Sequence, residues 1–159
     1  MTAFADQVPN TTALVNCLFA MHHLPSIREV EQCLAEIRTV CGRTGCGFLI
    51  FDLARPRHAS TAAAYPRVFT PDAAKVFCDD STNSLLAAFS HNELKEVFCG
   101  IHDLSVNVVR ARVLPLFQIY WSPPQGLDEK RPPVSVEKLS GQARWQYRAL
   151  RAILRGLPR

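Results

Sequence analysis

Two apolar runs separated by one helix-length segment restrict the fold of this chain more than any other feature of its sequence. Residues 12–20 (TALVNCLFA) are almost continuously apolar, and residues 47–53 (GFLIFDL) form a second such run. Runs of this kind are typical of strands that are covered on both faces. Between them, Ser26 and Glu29 predict a capping box at the start of a helix that continues to about Val40. The order strand, helix, strand predicts two parallel strands joined by a crossover.

The following residues predict further helices and an antiparallel pair of strands. About 30 residues rich in Ala, Pro, Ser and Thr follow the second strand, and a connection of that length often forms a functional lid. Residues 83–98 predict a helix that breaks or turns at Ser90, where a second cap begins. Residues 104–112 and 116–121 predict an antiparallel hairpin at the edge of the sheet.

The C-terminal part differs from the rest in charge. Residues 127–159 hold 8 of the 18 Lys and Arg residues but only 3 of the 14 Asp and Glu residues. Residues 123–135 predict a Pro-rich linker between a domain at residues 1–122 and a basic amphipathic helix at residues 136–156. Four arginines would form one stripe on that helix: Arg144, Arg148, Arg151 and Arg155. Such a stripe could bind RNA phosphates, lie on an anionic membrane, flank a contact with a partner protein or face solvent.

Composition limits the class of protein. With 159 residues, 48% of them hydrophobic, the chain fits one compact globular domain. No apolar run approaches the roughly 18 residues of a membrane span, and the N-terminus lacks the pattern of a secretion signal, so we expect a cytoplasmic protein. The six cysteines form no CxxC pair, which favours reduced thiols over disulfides or metal ligands.

Three phrases at the junctions of the predicted elements carry a family resemblance. They are CLFAMHHLP at residues 17–25, DLARP at residues 52–56 and NSLLAAFSHNEL at residues 83–94. With the hairpin, they resemble the C-terminal half of a class I S-adenosylmethionine-dependent methyltransferase, over residues 8–122. The resemblance implies an α/β fold with a partial doubly wound, Rossmann-like sheet: two parallel strands plus an antiparallel hairpin, with helices on the faces. It also implies S-adenosylmethionine as the cofactor.

The parts that hold this cofactor in the family do not occur in these 159 residues. They are a Gly-rich loop after the first strand and an acidic residue at the end of the second. The chain therefore looks like half an enzyme, in which the strand at residues 12–20 lacks one neighbour. Because an open apolar edge promotes pairing, we expect a cover: a second copy in a homodimer, a separate chain with the missing half, or residues 1–11 and the tail. Met1 could also be an internal residue of a longer product.

Two classes of function follow. The chain is either a subunit of a two-chain methyltransferase, or a degenerate remnant of one, and as an isolated monomer it should bind S-adenosylmethionine poorly. Alternatively, it is a non-catalytic interaction module that binds a protein or RNA partner through its open sheet edge and basic tail.

The resemblance also assigns candidate site residues. Those at the end of the first strand would contact the cofactor: Asn16, Cys17, Leu18 and Phe19. Asn16, His22 and His23 are candidate catalytic residues, and the imidazoles suit a general base because they titrate near neutrality. One of the two histidines could instead bond the backbone of the turn.

Five further residues are candidates for substrate contact: Asp52, Arg55, Tyr65, Asn83 and Ser84. Asp52 and Arg55 follow the carboxyl end of a strand, where open α/β sheets bind ligands. Each candidate has a structural alternative, since Asp52 and Arg55 could pair with one another and Asn83 or Ser84 could cap a helix.

Overall fold

The computed structural model describes residues 3–111, 115–126, 140–142, 144–145, 148 and 154–155 of the chain. They form one mixed sheet with helices on both faces. The strands are β1 (Leu14–Leu18), β2 (Gly47–Leu53), β3 (Asn107–Ala111), β4 (Phe117–Ser122) and β5 (Leu154–Arg155). The helices are α1 (Ile27–Thr44), α2 (Ala59–Phe69), α3 (Lys75–Ala87) and α4 (His91–Cys99), with 3₁₀ turns at Ala5–Gln7 and Met21–His23.

The strands of the sheet are arranged in the order β1-β2-β4-β3-β5. β1 and β2 are parallel, and β4 is antiparallel to both β2 and β3. The α/β class, the parallel pair and the antiparallel hairpin are therefore confirmed. The hairpin does not form the sheet edge as predicted, because β5 pairs with β3 through Arg110 opposite Arg155 and Ala111 opposite Leu154.

One face of the sheet is covered by α1 and α4. The buried residues of this core include Val30, Leu34, Ile37, Leu94, Phe98, Phe48, Ile50 and Tyr120. The start of α1 follows from Ser26, whose hydroxyl accepts the Glu29 N–H at 3.4 Å. The helix ends at Thr44 instead of Val40, where Gly45 adopts φ +71°, a left-handed conformation that glycine tolerates without strain.

The stretch predicted to be a lid is helical. α2 and α3 pack against each other on the opposite face, where Ala62 and Leu85 are buried next to Leu53 and Phe117. Alanine favours helix, but neither helix starts with a side chain that bonds its first turn. The sequence therefore lacked a start signal, and the helix α2 and the first part of α3 were not predicted.

β1 lies at an edge of the sheet and is half exposed. Leu14 and Leu18 are 49% and 51% exposed, whereas Val15 and Cys17 on the other face pack against the core. The prediction of a strand covered on both faces was therefore wrong for β1 in this chain. A sequence typical of the interior of a sheet occupies an edge position.

The backbone of β1 has a defined inner and outer side. Gly47 N–H donates to Ala13 at 3.3 Å and Phe19 N–H donates to Phe51 at 2.8 Å, so the odd-numbered residues of β1 bond β2. The N–H and C=O of one strand residue point to the same side. Residues 14, 16 and 18 consequently direct their backbone groups outward. Within the described part of the chain, no segment pairs with this outer side.

The two end segments were expected as one possible cover of β1, and their described residues lie elsewhere. Glu36 on α1 accepts the backbone N–H groups of Phe4 and Ala5 at 2.7 Å each. Arg43 donates to the carbonyl of Ala5 at 2.9 Å. These bonds hold the N-terminal segment against α1, and the two from Ala5 and Phe4 lower the pKa of Glu36 below its usual value. β5 covers the opposite edge of the sheet.

The predicted basic helix at residues 136–156 is described in part. The helical residues there are Gly141, Gln142, Arg144, Trp145 and Arg148. The prediction was wrong at its end, since Leu154 and Arg155 are extended in β5; pairing with a distant strand overrides a local helical pattern. Arg151 lies outside the described residues, as does the predicted linker from residue 127 onward.

Candidate functional site

The carboxyl ends of β1 and β2 meet at one edge of the sheet, the position where open α/β sheets bind ligands. A buried polar pair lies there, with Nδ1 of His22 2.6 Å from Oδ1 of Asp52. His22 belongs to the 3₁₀ turn after β1, and Asp52 is the penultimate residue of β2. Their exposures are 7% and 1%. The parallel register of the two strands thus joins side chains that are 30 positions apart.

Asp52 makes all its contacts inside the protein. Its Oδ1 also accepts the Leu53 N–H at 2.6 Å, and its Oδ2 accepts the backbone N–H of His22 at 3.0 Å. A carboxylate only accepts hydrogen bonds, so Nδ1 of His22 carries the proton and the ring is held in one tautomer. Asp52 therefore orients His22, and neither carboxylate oxygen is open to a substrate.

The second ring nitrogen of His22 remains available. Nε2 has no hydrogen-bond partner among the described residues and reaches the protein surface. A histidine has the arrangement of a general base when a carboxylate holds its Nδ1–H and its Nε2 is accessible. The exposed ring of His23 lies 4.1 Å from the His22 ring, so both predicted histidines border the same surface.

Cys17 is close to this pair but does not supply a nucleophile. Burial, and then the charge of Asp52, raise the pKa of its thiol to about 11. A thiol with that pKa is protonated at neutral pH and unreactive. Because successive strand residues face opposite sides, Cys17 faces α1. Asn16 and Leu18 face the other side, which is open to solvent at β1.

The other three predicted cofactor contacts share this open side. Asn16 is exposed, and Leu18 and Phe19 are 51% and 45% exposed. Phe19 adopts φ +50°, which is uncommon for an aromatic residue. Its ring lies 4.7 Å from that of Phe51. Side chains this exposed do not enclose a ligand by themselves, so cofactor contact would need a second surface beside β1.

The predicted substrate residues lie on three different elements. Arg55 pairs with Glu93 at 2.6 Å and not with Asp52. Tyr65 is half-buried in α2. Asn83 and Ser84 lie inside α3, so the alternative that they cap a helix was wrong. Since α3 contacts the turn that carries His22, these two are on an element next to the pair, whereas Arg55 is directed toward α4.

An aromatic row that sequence reasoning did not identify crosses the face of the sheet on which α2 and α3 pack. Its members, in order of contact, are Phe19, Phe51, Phe117, Tyr65 and Phe69, with ring centroids 4.7, 5.9, 6.5 and 4.9 Å apart. Alternation within β2 and β4 does place Phe51 and Phe117 on one face. The contacts with Phe19 and Tyr65 depend on tertiary packing and have no local signal.

No known protein family, curated protein or solved structure matches this chain. In the described ranges, no group of three or more His, Cys, Asp or Glu side chains is placed to hold a metal ion. No helix in the same part of the chain is long and apolar enough to cross a membrane. The six cysteines are free thiols, as predicted. Two features therefore bear on function: the edge of β1, which is unpaired among the described residues, and the His22–Asp52 pair.

Proposed function

We propose that this chain is one part of a two-part S-adenosylmethionine-dependent methyltransferase, completed along the outer edge of β1 by a second polypeptide segment. The observation that carries the proposal is β1, an apolar strand with a neighbour on one side only among the described residues. Natural proteins rarely leave such an edge open. The sheet, parallel at the β1–β2 end and antiparallel at the β4–β3 end, agrees with the half that the resemblance implies.

The cofactor would depend on both parts. Asn16, Leu18 and Phe19 on the open side of β1 are the residues of this chain that would face it. The added segment would supply the Gly-rich loop, whose backbone allows close approach to the ligand. We therefore expect the isolated chain to bind S-adenosylmethionine poorly and the completed sheet to bind it well.

In this proposal His22 is the general base. Its Nε2 would take the proton that an O–H or N–H acceptor loses on receiving the methyl group, while Asp52 holds Nδ1–H and stabilises the imidazolium. The methyl group of the cofactor is already activated, so the protein mainly orients the acceptor and excludes water. The aromatic row would form an apolar wall beside this position.

The alternative, a non-catalytic interaction module, uses the same edge. Its RNA-binding form has less support, because the predicted arginine stripe is interrupted: Arg144 and Arg148 are helical but Arg155 belongs to β5. A degenerate remnant would assemble in the same way without transferring a methyl group. Assembly and cofactor binding must therefore be measured separately.

The test begins with the DNA upstream of the Met1 codon. We expect this DNA to encode a Gly-rich strand, loop and helix, either in frame or in a neighbouring reading frame. Co-expressed with the chain, that segment should form a stoichiometric complex by light scattering and bind S-adenosylmethionine in the micromolar range by calorimetry. Micromolar binding by the isolated monomer would contradict the proposal. Self-association without such a segment would support the interaction module.

Two proline variants locate the interface. Asn16→Pro removes an outward N–H and costs no bond to β2, and proline is tolerated at this position of an edge strand. It should leave the fold intact and abolish assembly. Val15→Pro removes an N–H that bonds β2 and should destabilise the sheet itself. If Asn16→Pro assembles as well as the unmodified chain, the outer edge of β1 is not the interface.

A further inference from the structure

A cleft of about 650 Å³ opens where the chain leaves β2. Its walls are residues 54–58 and 61, residues 90–92, Arg110 and residues 115–116. It therefore lies between the starts of α2 and α4 and the end of β3, and neither His22 nor Asp52 lines it. Sites for small molecules typically have volumes of about 300–1,000 Å³, so the cleft has the size of a ligand site.

Among the residues that the structure describes, the walls of the cleft are basic and include no acidic side chain. The basic members are Arg55, Arg57, His58, His91 and Arg110. Arg55 is neutralised, because Glu93 contacts it at 2.6 Å. Arg57 and Arg110 form no ion pair with any other residue that the structure describes. Two guanidinium groups without counter-charges in one concave surface favour an anionic ligand.

Neutral polar side chains and the start of α2 add to this field. Thr61, Ser90 and Asn92, whose side chains carry hydroxyl and amide groups, also line the cleft. α2 begins after His58 with no side chain bonded to its first turn. The uncapped start of α2 lies at the wall of the cleft, where the positive end of the helix dipole favours an anion. The first turn of α4 is instead closed by the capping box of Ser90 and Glu93.

The pKa of His91 depends in part on this positive charge. Burial, followed by the charges of Arg110 on β3 and Lys95 on α4, holds the pKa of His91 below its ordinary value. Its ring also stacks on Tyr120 of β4, at a centroid distance of 6.3 Å. An anion bound near Arg110 would offset that charge and raise the pKa of His91, which gives the cleft an internal reporter.

We infer that this cleft binds the phosphoryl group of a small phosphorylated molecule. A phosphoryl dianion matches two unpaired guanidinium groups, and the planar fork of arginine bonds two phosphate oxygens at once. All the lining residues belong to this chain. The inference is therefore independent of the proposed methyltransferase, and the isolated chain is sufficient to test it.

Calorimetric titration of the full chain with inorganic pyrophosphate is the direct test. Saturable binding is expected at low ionic strength, and Arg57→Gln or Arg110→Gln should each weaken it about tenfold. Arg28→Gln removes the same charge from an exposed position on α1 outside the cleft, and should leave the affinity unchanged. Urea midpoints of all variants establish that they fold.

Glu93→Gln provides a variant with the opposite effect. The amide oxygen keeps an acceptor for the Ser90 N–H, which Glu93 now bonds at 2.7 Å, but it releases Arg55 to the cleft. Pyrophosphate affinity should therefore rise. In the unmodified chain, NMR titration should show a higher pKa of His91 when pyrophosphate is bound.

Four results would overturn the inference. The first is that pyrophosphate shows no saturable binding at millimolar concentration, and the second is that Arg28→Gln and Arg110→Gln lose equal pyrophosphate affinity. The third is that citrate binds as tightly as pyrophosphate. The fourth is that single-stranded RNA binds tightly and pyrophosphate does not displace it. The third would indicate a carboxylate ligand, and the fourth a nucleic-acid surface.

Discussion

Replacing Asp52 with alanine tests whether the buried pair organises the ends of β1 and β2. The carboxylate accepts from Nδ1 of His22 at 2.6 Å, from the backbone N–H of His22 at 3.0 Å and from that of Leu53 at 2.6 Å. Alanine leaves all three donors without an acceptor where Asp52 was 1% exposed. Each unpaired buried donor costs about 1–3 kcal/mol, and breaking a buried pair from one side costs about 3–5 kcal/mol.

Water can reach the pair beside His22, which is 7% exposed, so we expect a loss of about 3–4 kcal/mol in the free energy of unfolding. That is a large share of the roughly 5–15 kcal/mol typical of a domain. Urea denaturation followed by circular dichroism measures it. Asp52→Asn keeps one oxygen and should cost about 1–3 kcal/mol.

Asp103→Asn is the matched control. Asp103 pairs with Arg38 at 2.9 Å, but the two side chains are 53% and 43% exposed. Solvent screens such a pair, so the urea midpoint should not move. A loss below about 1 kcal/mol for Asp52→Ala would refute the reasoning, because that is less than one unpaired buried donor costs.

Two further predictions concern the backbone and the basic cleft. Gly47→Ala should destabilise the sheet by about 1–3 kcal/mol, because a Cβ there would lie 2.6 Å from the carbonyl oxygen of Ser122; Gly42→Ala, which meets nothing within 4 Å, should instead stabilise α1 by about 0.5–1 kcal/mol. Thermal unfolding of the two variants should thus shift in opposite directions, and equal shifts would contradict this. Arg110→Gln should raise the pKa of His91 in NMR titrations. Since the folded-state pKa of His91 lies below its unfolded value of 6.5, the unfolded state binds more protons below that pH, and stability falls as the pH drops through this range. Arg110→Gln should reduce that fall, and an unchanged pH dependence of the urea midpoint would argue against it.

Local signals were sufficient where the responsible residues are close in sequence. Ser90 and Glu93 predicted a cap, and the full capping box is present at the start of α4. β2 occupies Gly47–Leu53 as predicted. Short-range hydrogen bonds and an uninterrupted apolar run fix these features, so they can be recognised without knowledge of the fold.

Features that depend on distant residues were not predictable in this way. α2 contains Pro66, which disfavours a helix interior, and packing against α3 helps to keep the segment helical. Leu154 is extended because it pairs with Ala111. Both His22 and Asp52 were candidate site residues, but on separate grounds; the register between β1 and β2 is what makes them one unit.

The edge strand β1 has a direction, and this direction limits how a partner strand can pair with it. A strand added parallel to β1 ends beside Leu18, so the loop that follows it reaches the same rim of the sheet as His22. A second copy related by a twofold axis would meet β1 antiparallel, which sends the two His22 side chains to opposite rims of one continuous sheet. Only the parallel arrangement can assemble a single catalytic pocket, so the direction of the joining strand distinguishes an enzyme from a structural dimer.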